Sequence, residues 1–426
     1  MAFISSALTG CASTRVAPVP SLPAVTPTVT APSGLPAVIA IAGRFEDDLL
    51  AVLEQQVASF EAANPSIRIE LVQAPRITAE RRDKFAADLG AGDTSVDILV
   101  LDYPWLAEFA APGWLTPLAD YVEPYRLDLA ASLPSAAEAS TIHGQLIALP
   151  WTTDGGVLYY RKDLLIKYGY APPAAWPDLQ RIALDIKAKE GLSYGFVWQG
   201  APYEGLTCNA LEFVWACGGD VLDDAGQVIF DSPQTRTALQ QMADLLVTDA
   251  SPSEVLTFQE NQSLSAFRDG EAVFMRNWYY AWDRVNQEGS AVAGRVGMAP
   301  LPASCLGGQA LALSSSGLHK AEAFRFMAFL AGYDQQVQAA LLAEQPPALS
   351  AVFEDASVLA ADPAWRDLSA ALAVTRARPR AIPYAELSRA IYTEVNRMLV
   401  GRRDPAITPA ATAAGVQGRI MTILGQ

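Results

Sequence analysis

The 426 residues hold only two histidines, His143 and His319, and only four cysteines. Zinc and iron–sulfur sites need such ligands in clusters, and Cys11, Cys208, Cys217 and Cys305 form no C-x-x-C pair, so neither a metal nor a cofactor is expected. Cys208 and Cys217 are nine residues apart in one apolar, helix-like stretch. A continuous helix would separate them by about 13 Å at about 1.5 Å per residue, too far for a disulfide. They read as buried free thiols, with a bridge involving Cys305 left open. Basic charge is also scarce: 30 Lys and Arg against 46 Asp and Glu leave a net charge of −16. Nucleic acid and anionic membrane surfaces select for basic patches and are poor partners for such a chain. No apolar run after the first residues is long and charge-free enough to span a bilayer. Apolar material is otherwise ample, at 51% of residues, and the length exceeds one compact core, so two lobes are expected.

The N-terminal segment sets the expected compartment. Leu8-Thr9-Gly10-Cys11 resembles a lipobox, the end of a bacterial lipoprotein signal peptide, in which the cysteine is lipidated and becomes the new N-terminus. Met1 to Ala7 is too short for a complete signal and lacks a basic n-region, so the true start is expected upstream. Residues 12–36 carry six prolines and a single charge, Arg15. They read as an extended tether that reaches up to roughly 75 Å at about 3.1 Å per residue.

Beyond the tether, Val38–Ala42 reads as a buried strand. Leu49, Leu53, Val57 and Phe60 then repeat at helical spacing until Asn64-Pro65. Ile67, Ile69 and Leu71 alternate as in a strand, Ala79 to Leu89 reads as a helix, and Val96 to Leu101 as a buried strand. The order β-α-β-α-β predicts an α/β fold with a largely parallel sheet, whose ligand would lie beyond the carboxyl ends of the strands, where Asp102 sits. A second unit begins near 150, with strands at 156–160 and 195–198 and helices at 162–168, 177–190 and 206–217. After 231 the chain reads as mainly helical apart from 272–275 and 295–299. No internal repeat is visible.

Several segments in order resemble the trehalose/maltose-binding branch of the bacterial family-1 extracellular solute-binding proteins. They include Leu101-Asp102-Tyr103-Pro104-Trp105-Leu106, Gly113-Trp114-Leu115-Thr116-Pro117-Leu118, and Asp154 through Leu165 with Lys167-Tyr168-Gly169. Gly195 to Gly200, Tyr203-Glu204-Gly205-Leu206, Arg276-Asn277-Trp278-Tyr279-Tyr280-Ala281-Trp282, Leu306-Gly307-Gly308, and Arg378-Pro379 with Tyr384 and Leu387-Ser388 follow. The likeness covers 37–426. It implies a two-lobe periplasmic-binding-protein fold: largely parallel sheets joined by a hinge, and a cleft between the lobes. By analogy 37–150 plus 279–330 would form the first lobe and 151–278 plus 331–426 the second. It further implies a monomer that binds a small oligosaccharide outside the cytoplasm, lipid-anchored at Cys11, and hands it to the permease subunits of an ABC importer.

Sugar presents hydroxyls at its rim, which suit carboxylates and guanidinium groups, and apolar C–H faces, which suit aromatic rings. The resemblance carries the ligand-binding role to Arg81, Asp102, Asp154, Trp278, Tyr280, Gly308, Gln309 and Arg378, and less directly to Thr152, Tyr203 and Glu204. In Trp278-Tyr279-Tyr280 at least one ring must face away from any single surface; Trp282 reads as packing between helices. For Asp102 and Asp154 the alternative is helix capping, common for Asp, and the resemblance tips both toward hydroxyl binding. Two departures put maltose in doubt: Gln309 stands where the branch often has Trp, and Thr152 where it has Tyr. Both changes remove an apolar plate, unless another ring such as Trp151 refills the space. The rival readings are a secreted carbohydrate-active enzyme, which also uses paired carboxylates and aromatics, and a sugar receptor that does not transport. The sequence contains no H-E-x-x-H motif.

Overall fold

A computed structural model describes residues 36–125 and 127–426. Cys11 and the 12–35 stretch of the expected tether lie outside the described residues. Twelve strands matter here: β1 Ala37–Gly43, β2 Ile67–Gln73, β3 Ile98–Asp102, β4 Ala148–Pro150, β5 Asp154–Gly155, β6 Val157–Arg161, β7 Tyr194–Val197, β8 Ala272–Asn277, β9 Val296–Pro300, β10 Ser304–Gly307, β11 Gln309–Leu313 and β12 Thr375–Arg376.

The first sheet has the order β2-β1-β3-β11-β4. In β1, Ile39, Ala40, Ile41 and Ala42 are all buried, which fits a strand covered on both faces. In β2, Ile67 and Ile69 turn inward while Arg68 and Glu70 stay exposed, as an edge strand requires. The helix Asp47–Ala63 lays Leu49, Val52, Leu53 and Phe60 on this sheet. It stops where Asn64 donates its amide to the Phe60 carbonyl at 2.9 Å, just before Pro65, whose ring disfavours a helical Asn64.

The second sheet has the order β9-β6-β8-β7. Between the two lies a small third sheet, β12-β10-β5, built where the chain crosses over. β5 runs antiparallel to β10, with Gly155 opposite Leu306 and Asp154 opposite Gly307. β12 runs parallel to β10. A further crossing at Pro346 and Pro347 lies alongside, held by the Thr153 amide and hydroxyl, which donate to their carbonyls at 3.0 and 2.6 Å.

The structure departs from the sequence reading in three ways. Both sheets are mixed: β1, β2 and β3 are parallel, but β11 pairs antiparallel with β3 and β4, and β6 antiparallel with β8 and β9. Strands that return from a crossover run against the strands already laid down, which the local pattern could not reveal. Second, 279–330 does not belong to the first sheet as a block. β9 lies beside β6 in the second sheet, and only β11 onward returns to the first. Third, the helix Tyr333–Ala343 packs on the helix Asp47–Ala63, where Gln56 donates to the Gln335 carbonyl at 2.9 Å. The strands β10 and β11 lie in a stretch that the sequence reading took as mainly helical beyond 295–299.

Candidate functional site

The carboxyl ends of β1 and β3 and the segment 304–309 converge, and the candidate residues gather around that convergence. Gly308 has φ +90°, and a Cβ there would lie 2.5 Å from the Thr152 carbonyl oxygen. The glycine is therefore required by two backbones crossing closely, a different reason from the ligand approach that the resemblance suggested. Gln309 and Thr152 are locked across this crossing by the Gln309 amide, which donates to the Thr152 hydroxyl at 3.0 Å, and by the Thr152 amide, which donates to the Gln309 carbonyl at 3.0 Å.

One wall is polar. Asp102 ends β3, and the Gln309 side-chain amide donates to its Oδ1 at 2.9 Å. Arg81 Nη2 lies 3.6 Å from its Oδ2. Arg81 falls on the buried face of the helix Thr78–Gly90 because it shares the i, i+4, i+8 row with Phe85 and Leu89. Its neighbour Arg82 turns aside to Glu108. The Arg81 guanidinium also sits 5.4 Å over the Trp105 ring. The alternative of a capping role for Asp102 is not seen: its side chain makes no cap hydrogen bond to the short helix that follows. Trp151 is 3% exposed and belongs to the first-sheet core, so it does not refill the space left by Gln309.

The other wall is aromatic. Trp278 follows β8 and is half-buried. A Cβ at Gly307 would lie 2.9 Å from its Cζ3, so the bare glycine lets the indole edge approach the crossover. The Arg276 guanidinium lies 4.2 Å from the indole centroid. It is itself fully buried and donates to both Glu212 oxygens, at 3.0 and 2.5 Å. Burial opposes its charge, but Glu212 more than offsets that and its pKa is raised. Tyr279 turns into the core against Trp365, with ring centroids 5.2 Å apart, while Tyr280 stays 42% exposed. Trp282 donates to Asp362 at 2.7 Å, away from the other rings. The Asp154 carboxylate accepts the Tyr279 and Gly155 amides at 3.0 and 2.7 Å. Burial nevertheless pushes its pKa up to about 6, with those two bonds and Arg276 pulling it back.

Arg378 closes the far end. Its Nη1 donates to Glu204 Oε1 at 2.7 Å and its Nη2 to the Leu306 carbonyl at 3.1 Å. Glu204 also accepts the hydroxyls of Tyr384 and Ser388. Tyr203 is held next to Glu204, and burial with the nearby Glu260 carboxylate keeps its phenol protonated.

Several buried donors without partners lie here. Arg81 Nε, Tyr203 Oη and Arg378 Nε are buried with no hydrogen-bond partner among the described residues. Such groups are rare because each one carries a desolvation penalty, and three around one site suit a surface completed by a ligand's own oxygens. Sequence reasoning missed Glu212, Glu260 and Arg44. Glu212 was legible as a lone charge inside an apolar helix, which calls for a buried partner. Arg44 follows directly after β1 at the same sheet edge as Asp102, and its buried Nε is also unpartnered. Glu260, whose Oε1 accepts the Trp278 indole N–H at 3.4 Å, left no sequence signal.

Two α/β sheets bridged by a crossover sheet, with polar and aromatic groups facing one another at the bridge, define a two-lobe periplasmic binding protein. The chain belongs to the bacterial extracellular solute-binding protein family, whose model matches residues 42–337. A probable ABC transporter-binding protein of Deinococcus radiodurans is 34% identical over 383 residues, covering 84% of this chain and 87% of the relative. The maltose-bound MalE3 of T. maritima is 38% identical with a TM-score of 0.79, covering 91% of this chain and 100% of that one. A mannitol-binding protein of Pseudomonas aeruginosa is 26% identical over 318 residues, 71% of this chain and 72% of the relative.

Proposed function

We propose that this chain captures a small oligosaccharide between its lobes and delivers it to the membrane subunits of an ABC importer, with trehalose, maltose or a related glucoside as the candidate ligands. The observation that carries the reading is the pairing of Trp278, half-buried and braced from one side by Arg276, with the Asp154, Asp102 and Arg378 groups around it. A ring for a sugar face and charged groups for its hydroxyls are the two surfaces a pyranose demands. The lobes on this reading are 36–150 with 309–345 and 157–300 with 350–426, moving about the crossover sheet. Cys11 would be the lipid anchor on the outer face. An upstream-extended chain should then fractionate with membranes while its Cys11→Ser variant does not, and a cytosolic wild type would refute the anchor.

Ligand choice should turn on Gln309. Its amide is committed to Asp102, and with Arg81 the three make a polar plate where a Trp would make an apolar one. The expected result is that Gln309→Trp strengthens maltose or trehalose binding in calorimetric titration. Tight maltose binding by the wild type that Gln309→Trp fails to improve would show that this position does not select the ligand.

Asp154 gives the site a pH dependence. Its pKa in the folded protein, about 6, lies above the ordinary aspartate value of 3.8. Its effect on folding therefore favours stability as pH falls from about 6 toward 3.8. Its effect on binding runs the other way, because a hydroxyl donor needs the carboxylate. Affinity should drop as pH falls below 6, by up to about tenfold per pH unit, and Asp154→Asn should flatten the profile. An unchanged affinity between pH 7 and pH 5 would rule out hydroxyl binding by this carboxylate.

A further inference from the structure

The Trp278 indole is confined on three sides. One face lies under the Arg276 guanidinium, 4.2 Å from the ring centroid. The benzene-ring edge abuts the crossover, where a Cβ on Gly307 would lie 2.9 Å from Cζ3 and 3.3 Å from Cε3. The opposite edge carries the indole N–H, which donates to Glu260 Oε1 at 3.4 Å. That leaves the second face for a ligand.

The carboxylate is delivered to the indole by a fixed frame. Glu260 opens the helix Glu260–Arg268, whose start is set by a capping box in which Gln259 and Gln262 exchange side-chain-to-backbone hydrogen bonds. The fully buried Asn277 ties that start to the tryptophan. Its Nδ2 donates to the Glu260 carbonyl at 3.1 Å, and its Oδ1 accepts the Trp278 amide at 2.9 Å. One side chain thus fixes the spacing between the two backbones. The outer torsion of a tryptophan is soft and roughly two-fold. Turning the ring over would exchange its two edges, sending the N–H toward Gly307 and the benzene ring toward Glu260. A half-buried carboxylate separates the two orientations, because it rewards only the one that brings a donor to it.

We propose that Glu260 is a positioning residue of the sugar site: its carboxylate selects one of the two indole orientations and so presents one defined face of Trp278 to the ligand. The proposal deepens the sugar-binding reading above and rests on it. The indole N–H is spent within the protein, so Trp278 meets the sugar through its face alone.

The test joins two measurements on the wild type, Glu260→Ala, Glu260→Gln, Trp278→Phe and the double variant Glu260→Ala with Trp278→Phe. Proton NMR reads the indole N–H without any sugar, and Trp278→Phe identifies its signal among those of the nine tryptophans. The signal should move upfield in Glu260→Ala. It should stay near its wild-type position in Glu260→Gln, which keeps an acceptor oxygen. Calorimetric titration with maltose and with trehalose reads affinity. Glu260→Ala should weaken binding roughly three- to tenfold, about the worth of one hydrogen bond, and Glu260→Gln much less. Phenylalanine has no N–H to hold, so Glu260→Ala should cost nothing further in the Trp278→Phe background. A residue that merely supports the fold would cost the same in both backgrounds. An unmoved indole signal in Glu260→Ala, or a loss that persists beside Trp278→Phe, overturns the positioning role and leaves the sugar reading standing. An equal loss in Glu260→Gln and Glu260→Ala would assign the carboxylate to the ligand itself and overturn it too. If the wild type binds neither sugar, the sugar reading fails for both, and the indole signal still decides whether Glu260 holds the ring.

Discussion

Trp278→Ala should weaken sugar binding by about 1–3 kcal/mol, the range for losing a well-placed aromatic contact, or roughly 5- to 150-fold in Kd. The structure explains why the loss should be specific to ligand. The backbone of Trp278 is fixed independently of its ring, since the Tyr159 hydroxyl donates to the Trp278 carbonyl at 2.9 Å and the Trp278 amide donates to Asn277 Oδ1 at 2.9 Å. The ring is half-buried, so its removal leaves a gap at the cleft surface and no closed cavity. Thermal denaturation without ligand should therefore shift little, while titration shows the weakened affinity. A variant with undiminished affinity would take Trp278 out of the binding surface. Turnover of a glycoside by the purified wild type would overturn the binder reading in favour of an enzyme.

The larger stability effect is expected at Glu212. Its carboxylate neutralises the fully buried Arg276 and also accepts the Cys305 amide at 3.1 Å. Glu212→Ala leaves an uncompensated charge in the interior and should destabilise the fold by about 3–5 kcal/mol, read from urea denaturation. The double variant Glu212→Leu with Arg276→Met should recover most of that loss, because an apolar pair of similar volume avoids the desolvation of both ions. It should not recover ligand affinity, since the guanidinium behind the indole is gone. Full stability in Glu212→Ala would mean that the ion pair contributes nothing to the interior. Recovered affinity in the double variant would mean that the indole needs no brace.

The first three strands and their two helices were legible because each carries a clean period. Ile67, Ile69 and Leu71 alternate, and Leu49, Leu53 and Phe60 repeat by helical turns. The crossover strands were not, because pairs such as Asp154–Gly155 and Thr375–Arg376 are two residues long and exist only by pairing with distant chain. The aromatic motif at 276–282 was read correctly in one respect the rings now explain: Tyr279 does face away, into the core. Which residue braces Arg276 was not legible, because Glu212 lies 64 positions away and no local pattern links the two. The polar wall drew attention through Asp102 and Gln309 separately. That they bond to one another follows from the antiparallel register placing them opposite, which is a property of the sheet and not of either neighbourhood.

The segment from Leu306 to Gln309 is touched by both walls: its carbonyl by Arg378, its bare glycine by the Trp278 indole, its side-chain amide by Asp102. A rotation displaces each atom in proportion to its distance from the axis. If this segment is the fulcrum, groups beside it barely shift as the lobes swing, whereas outlying contacts such as Arg380 with Glu138 travel farthest. The inner end of a ligand would then meet nearly the same surroundings throughout the swing, and its outer end would be inspected only once the jaws have shut. Initial capture and final proofreading would in that case be divided along the length of a single guest molecule.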